Sequence, residues 1–385
     1  MNSSPAFSQE ARVSAFARAN HWPEIQRFFK DEKFYSLDEA KKWNCSLGHS
    51  IKRLFPDDKT RINRVFSCGN NTSVVYSPSL GRSHTEAFWC DERACAICNY
   101  YKSRSLFSRV YSYVRENSDK QYLFLTLTVR NVPGSELRDT VKRMNRAFGR
   151  MFRIQDSKSK TAKMFSGYIR RLEITYQSDP TKDSYRTFHP HLHVLLECKP
   201  EYRPRSDCFY HRLDILKDWQ YYYGDPEITQ IKIKQIRPSK ALDGVGYDRQ
   251  VAGACAEVAK YPLKLQKVLL KPENNELFDE FIQGMFSLKG CIFETTSKNF
   301  RAILHFVSKP QEGDPLPDVE SAPDAAFQGY CYSTRKRCYL KTDIFLLRIR
   351  DKFGYSPQIR FQAWCECVKA WDAGLIDGDD PPPFR

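Results

Sequence analysis

At 385 residues the chain can hold two compact domains, or one large domain with appendages, and needs no disulfide staples to bury a core. Sixty-one Lys and Arg against 46 Asp and Glu leave a formal charge of +15 and a pI near 9.2, which suits a polyanionic partner. The first residues hold no apolar run of the signal-peptide kind and no later segment approaches bilayer length, so a cytoplasmic protein with no membrane partner is expected. Its 13 cysteines, odd in number, then read as thiols or metal ligands rather than a disulfide framework.

Residues 1–60 mix helix-forming stretches at 10–19 and 36–43 with many charges and carry no chemical motif. They read as a helical accessory region, with contact to duplex DNA as the alternative. Residues 61–118 differ in character. Short strands are expected at 65–68 and 72–76, and Cys90, Cys95 and Cys98 follow within nine residues. The Cys95-x-x-Cys98 spacing suits a zinc knuckle, Cys90 supplies a third thiolate, and Cys68 or His84 a fourth ligand. Buried thiols that bind nothing are the other reading. A helix over 99–114 is predicted next, with Leu106, Val110 and Val114 beneath Lys102, Arg104 and Arg109.

Residues 119–306 form the largest block. Residues 122–129 are rich in β-formers and predict a central strand, and Leu137, Val141, Met144, Phe148 and Met151 then recur at helical intervals, as in a helix that covers a sheet. Residues 167–176 alternate so that Leu172 and Ile174 share one face, and Arg171, Glu173 and Thr175 the other. A short decorated loop then leads into a strand with three of the eight histidines, His189, His191 and His193. Positions i and i+2 of a strand project together, so His191 and His193 stand side by side and can share a cation; exposed or hydrogen-bonded imidazoles are the plainer reading. Pro190, which lacks a donor, is expected at the strand's first position or on an edge. If the two strands form a hairpin, Glu173 is a candidate third ligand, and an exposed or salt-bridged Glu is the alternative. A helix at 213–223, a strand at 228–236 with Lys232 and Lys234 on one face, and a small-residue helix at 251–264 complete the block. Residues 307–329 are proline-rich and acidic, as in a linker, and 330–385 form a small tail with a helix near 358–373 and a Cys365-x-Cys367 pair left as structural.

A divalent cation on His191, His193 and Glu173, set in a basic surface, would lie against a phosphodiester and withdraw charge from its nonbridging oxygens. Tyrosine suits reversible attack on such a phosphate, because the phosphotyrosine formed keeps the bond energy for rejoining. Tyr261 is one candidate among 21 tyrosines, with Lys260 or Lys264 favouring its phenolate. Glu257, one turn away, could act as a general base or simply pair with those lysines.

Three motifs in this order, Phe124-Leu-Thr-Leu-Thr128, His189-Pro-His-Leu-His193 and Glu257-Val-Ala-Lys-Tyr-Pro-Leu-Lys264, resemble those of the plasmid rolling-circle replication initiators, the Rep family of HUH endonucleases. The cysteine cluster resembles a feature that precedes the catalytic region in these proteins, with Ala96 standing where a proline is expected. The resemblance covers roughly residues 65–305. It implies an α+β fold: a central antiparallel sheet of HUH endonuclease type with flanking helices, plus a Cys-rich N-terminal module and a small C-terminal tail. It further implies His191 and His193 as ligands of Mg2+ or Mn2+, with Glu173 as a candidate third, and Tyr261 as the nicking tyrosine. Glu257 would end the reaction, Lys260 and Lys264 would contact DNA, and Cys68, Cys90, Cys95 and Cys98 would hold a structural zinc. The implied partners are plasmid origin DNA, a host helicase and a host DNA polymerase. A related relaxase or transposase, or a non-catalytic zinc-containing DNA-binding regulator, are the alternatives.

Overall fold

The computed structural model describes residues 37–77, 82–153, 161–202, 211–236, 249–259, 266–300, 326–333, 335–336 and 338–342. These fall into two compact units, one of residues 37–98 and 326–342, the other of residues 99–300.

In the first unit, helix α1 (Leu37–Leu54) buries Ala40, Trp43, Leu47 and Ile51, a stripe at three- and four-residue spacing. Helix α2 (Lys59–Ser67) starts at Asp58, whose carboxylate caps the Arg61 amide at 3.0 Å. Residues 65–67, expected as part of a strand, are the last turn of this helix. Ile62 and Val65 are buried three residues apart, and the Asp58 cap starts a helical register that overrides the β-propensity of so short a stretch. Gly69 takes φ 65°, a left-handed conformation that glycine adopts without strain, and the chain turns into strand β1 (Asn71–Ser77). This strand lies between β2 (Arg82–Ala87) and β8 (Ala326–Ser333), and β9 (Cys338–Thr342) completes an antiparallel sheet of order β2-β1-β8-β9. Residues distant in sequence thus share one sheet, with Thr72 opposite Tyr330.

Helix α3 (Ala96–Glu116) leads on, with Leu106, Val110 and Val114 buried. The second unit is built on a five-stranded antiparallel sheet of order β6-β3-β5-β4-β7. Its strands are β3 (Tyr122–Thr128), β4 (Phe165–Tyr176), β5 (Phe188–Cys198), β6 (Ile231–Ile236) and β7 (Glu294–Thr296). Leu123, Leu125, Leu127, Leu172, Ile174, Leu192, Val194 and Leu196 are buried on one face. Helix α4 (Gly134–Met151) packs there: Arg170 of β4 reaches Asn145 and lies 5.2 Å over the Phe148 ring. The short α5 (Thr161–Met164) enters β4. Helix α6 (Arg212–Tyr223) packs on α4, and its Trp219 indole donates to the Thr128 carbonyl at 2.9 Å.

Pro190 is the third residue of β5, an interior strand, not the first residue or an edge position. Phe188 exchanges both backbone hydrogen bonds with Val132, so even-numbered residues of β5 point their backbone groups toward β3. The β3 ladder ends at Thr128 opposite His191, and the missing Pro190 donor falls in the gap before the Val132–Phe188 bridge. Proline therefore breaks no ladder bond here.

Helix α8 (Asn275–Ser287) closes on the same core through Gly284, where a Cβ would lie 2.3 Å from Phe188 Cζ. Phe188 is fully buried, between Tyr176 and Phe281, and has no free direction in which to move. Gly284→Ala is expected to lower stability by about 1–2 kcal/mol: overpacking of ~1–3 kcal/mol outweighs a helix-propensity gain of under ~1 kcal/mol. A urea midpoint shift at unchanged m would show this, and an increase in stability would mean that the ring moves freely.

The opposite face of the sheet carries Thr126 and Thr128 from β3, Arg171 and Glu173 from β4, and His189, His191 and His193 from β5, as their register requires. Helix α7 (Arg249–Ala259) packs on β4, β5 and β6. Residues 326–329, expected as the end of the linker, instead begin strand β8, because its alternating β-formers find backbone partners on β1. The expected helix at 10–19, the remaining linker residues 307–325, the helix at 358–373 and the Cys365-x-Cys367 pair lie outside the described residues.

Candidate metal centres and active site

The β4–β5 register sets Glu173 opposite His191, and Arg171 opposite His193. One carboxylate oxygen, Glu173 Oε2, meets both imidazoles: His191 Nε2 and His193 Nε2 each lie 2.6 Å from it. The other ring nitrogens are held from behind. His191 Nδ1 lies 3.3 Å from the His189 carbonyl, which accepts from it, and His193 Nδ1 lies 3.4 Å from Thr126 Oγ1. Such outer contacts fix ring orientation and leave Nε2 as the inward atom. Glu173 is 9% exposed and His193 6%. Burial alone would push the Glu173 carboxyl up, but the hydrogen bonds and charges of His191 and His193 outweigh it and hold the group well below the usual carboxylate range.

Two imidazoles and one carboxylate on adjacent strands are the donor set that suits an octahedral first-row ion with open positions. Neighbouring ligands of an octahedral ion at ~2.05 Å stand about 2.9 Å apart, so the 2.6 Å contacts need only open by a few tenths of an ångström. The residues fit a divalent ion.

Sequence reasoning missed the support around this set. Thr128 Oγ1 lies 2.5 Å from His189 Nε2, and burial pushes the His189 imidazole pKa down. Arg171 donates to the carbonyl of Ala259, the last residue of α7, at 2.8 Å, and pairs with Glu294 at 3.0 Å. The alternation of Thr126 and Thr128 within Phe-Leu-Thr-Leu-Thr was the available signal for the threonines. Arg171 offered none, because its partners come from distant elements. Glu257 lies on α7 and is not one of the carboxylates gathered with the two histidines. Tyr261, Lys260 and Lys264 lie outside the described residues.

In the first unit, Cys68, Cys90, Cys95 and Cys98 converge, all buried. The Cys68 sulfur lies 3.6 Å from those of Cys95 and Cys98, and Cys90 lies 3.8 Å from Cys98. A tetrahedron of sulfurs around zinc at ~2.3 Å has edges of about 3.8 Å, so the cluster fits that ion without rearrangement. Of the two candidates for a fourth ligand, Cys68 joins the cluster; the His84 side chain lies outside the described residues. Hydrogen bonds with neighbouring sulfurs push the Cys68 thiol up. Burial opposes ionisation of Cys95, yet hydrogen bonds from Cys68, Cys90 and Cys98 hold its thiol well below the usual range. Sulfurs this close ionise together only around a cation.

The frame around the cluster is built from α1 and α2. Asn44 accepts from the Ala96 amide and donates to the Val65 carbonyl, and the Trp43 indole donates to Ala94 O at 3.0 Å. Arg61 grips Glu92 with two bonds of 2.9 and 2.8 Å, and Arg64 donates to Cys90 O at 2.7 Å. Lys41, buried in α1, donates to Phe66 O at 2.8 Å and Cys68 O at 2.9 Å.

Residues 82–323, more than half of the chain, match the replication protein family. Protein rep of Streptococcus pneumoniae serotype 2 is 27% identical over 306 residues, covering 76% of this chain and 88% of the relative. Protein rep of Staphylococcus aureus is 30% identical over 203 residues (52% and 84%), and Protein rep of Lentilactobacillus hilgardii 30% over 233 (58% and 69%). No solved structure matches. Among the described residues no helix is long and apolar enough to cross a membrane. The chain belongs to the Rep family of plasmid replication initiators.

Proposed function

We propose that this Rep protein is an HUH endonuclease for rolling-circle replication, which nicks one strand of its plasmid origin and later rejoins DNA through a tyrosine-linked 5′ phosphate. One observation carries the reading: Glu173, His191 and His193 converge on the sheet face where the last residue of α7 is tied down by Arg171. Mg2+ or Mn2+ held by those three residues would draw charge from the nonbridging oxygens of the scissile phosphate.

Tyr261 follows Ala259 by two residues, and Arg171 anchors Ala259 two positions along β4 from Glu173. In the nicking step the Tyr261 phenol oxygen bonds to phosphorus as the P–O3′ bond breaks. The phenolic proton leaves to solvent and the departing 3′ oxygen takes one up, so a free 3′ hydroxyl results. Lys260 and Lys264 favour the phenolate by their charge and contact the phosphate backbone. A host polymerase extends the 3′ hydroxyl while a host helicase opens the duplex. In the closing step Glu257 takes the proton from the water or hydroxyl that displaces Tyr261 from phosphorus.

The test is a nicking assay on a single-stranded oligonucleotide carrying the cognate origin, with Mn2+, resolved on a denaturing gel. Wild type is expected to form a covalent adduct that EDTA abolishes and that Tyr261→Phe lowers on the order of a thousandfold or more. An adduct that persists in Tyr261→Phe assigns the nucleophile to another tyrosine. Tight binding without cleavage by wild type overturns the nickase and leaves a DNA-binding regulator.

A further inference from the structure

A lysine is seldom buried without an anion to meet it. Lys41 is 2% exposed. Its ammonium donates to the carbonyls of Phe66 and Cys68 and lies 5.6 Å from the centre of the Tyr332 ring. Each of these contacts is polar or polarisable, and none carries a full negative charge. Among the described residues no carboxylate lies within ion-pair distance of Lys41. Among the described residues, the thiols close enough to act on its ammonium are Cys45, one turn along α1, and Cys68, Cys95 and Cys90 of the cluster, and Lys41 holds the carbonyl of Cys68 itself.

Four thiolates around Zn2+ sum to a net charge of −2, which is costly inside protein unless opposed. We propose that Lys41 is the internal counter-charge of a four-cysteine zinc centre, positioned by α1 and acting on the metal through the sulfurs rather than as a ligand. Arg64, which is exposed and bonds the Cys90 carbonyl, lies at the rim, where solvent screens its charge. Lys41 lies inside, where nothing screens it. The two carbonyl bonds also orient the Cys68 backbone, so one side chain both aims a ligand and offsets the charge of the set. The lysine comes from a helix that contributes no ligand. The proposal rests on the zinc reading of the cysteine cluster.

The experiment uses the full chain purified with zinc, and the variants Lys41→Gln, Lys41→Met and Arg64→Gln. Zinc loss to a chromogenic chelator is timed, and zinc affinity is measured by chelator competition. Co2+ substitution reports coordination through its thiolate charge-transfer and d–d bands. Lys41→Gln keeps a donor for the carbonyls and removes the charge, so a purely stapling role predicts near wild-type affinity for it. The expected result is a loss of at least about tenfold in zinc affinity for both Lys41 variants, a smaller change for Arg64→Gln, and an unchanged Co2+ spectrum in Lys41→Gln. If Lys41→Met does not fold, Lys41→Gln carries the test. Wild-type zinc affinity in Lys41→Gln overturns the counter-charge. A wild-type protein that takes up no Co2+ with four-thiolate bands overturns the zinc centre itself, and the counter-charge with it.

Discussion

Glu173→Ala is expected to weaken Mn2+ binding about a hundredfold or more and to remove nicking at ordinary metal concentrations. Loss of a group that merely orients a ligand costs roughly 10–100-fold in affinity, so loss of a direct ligand should cost at least the upper end of that range. The carboxylate is the anion shared by His191 and His193, 2.6 Å from each, and its removal leaves two imidazoles with no charge to offset a dication. The fold should survive, because the β4–β5 ladder is made by backbone groups from Phe165 to Tyr176. The cost of losing a charged hydrogen-bond partner is about 1.5–3 kcal/mol. Glu173→Gln keeps the size and an oxygen donor, so it should retain part of the affinity. Mn2+ titration followed by electron paramagnetic resonance, beside the adduct assay, checks this. Should Glu173→Ala bind Mn2+ like wild type while His191→Ala does not, the carboxylate serves only to orient the imidazoles.

If the four cysteines hold zinc as proposed, its removal is expected to unfold residues 37–98 while the five-stranded sheet persists. Structural zinc contributes about 10–16 kcal/mol of binding free energy at neutral pH, comparable to or above the ~5–15 kcal/mol total stability of an ordinary domain. The frame around the cluster depends on the ligands: Cys68 ends α2, Cys95 and Cys98 flank the start of α3, and Asn44 joins both segments to α1. Four buried thiols without an ion would have to take up protons at van der Waals spacing. Cys95→Ser should act like a chelator. Hydrogen exchange read by mass spectrometry gives the answer region by region: peptides within Leu37–Leu54 and Lys59–Ser67 lose protection, and those covering Tyr122–Thr128 and Phe188–Cys198 keep it. Unchanged protection of α1 after complete removal of zinc would show that the unit stands on its apolar contacts alone.

Sequence and structure divide the work along a physical line. Side chains that act within one element were legible. His191 and His193 share a face because a strand has a period of two, and Leu137, Val141, Met144, Phe148 and Met151 are buried together because a helix has a period of 3.6. The Cys95-x-x-Cys98 pair spans the start of α3, and its local spacing too was visible. What lay between elements was not. Whether Glu173 meets His191 depends on a register in which a slip of one residue would send the carboxylate to the other face. The choice of Cys68 as the fourth sulfur waited on the path of α2, whose last turn had the composition of a strand and was held helical by the Asp58 cap. Pro190 sits inside β5 because β3 happens to end at Thr128.

The amino-acid sequence by itself determined the basic charge, the alternating strands, the histidine pair and the thiol knuckle, since each depends on neighbours a few residues away. Only the tertiary structure decided that β8 lies beside β1, that Arg171 holds the end of α7, and that Lys41 faces the cysteines. Those contacts join residues far apart in the chain, and their geometry is set by the packing of whole elements against one another, which no local pattern of residues encodes.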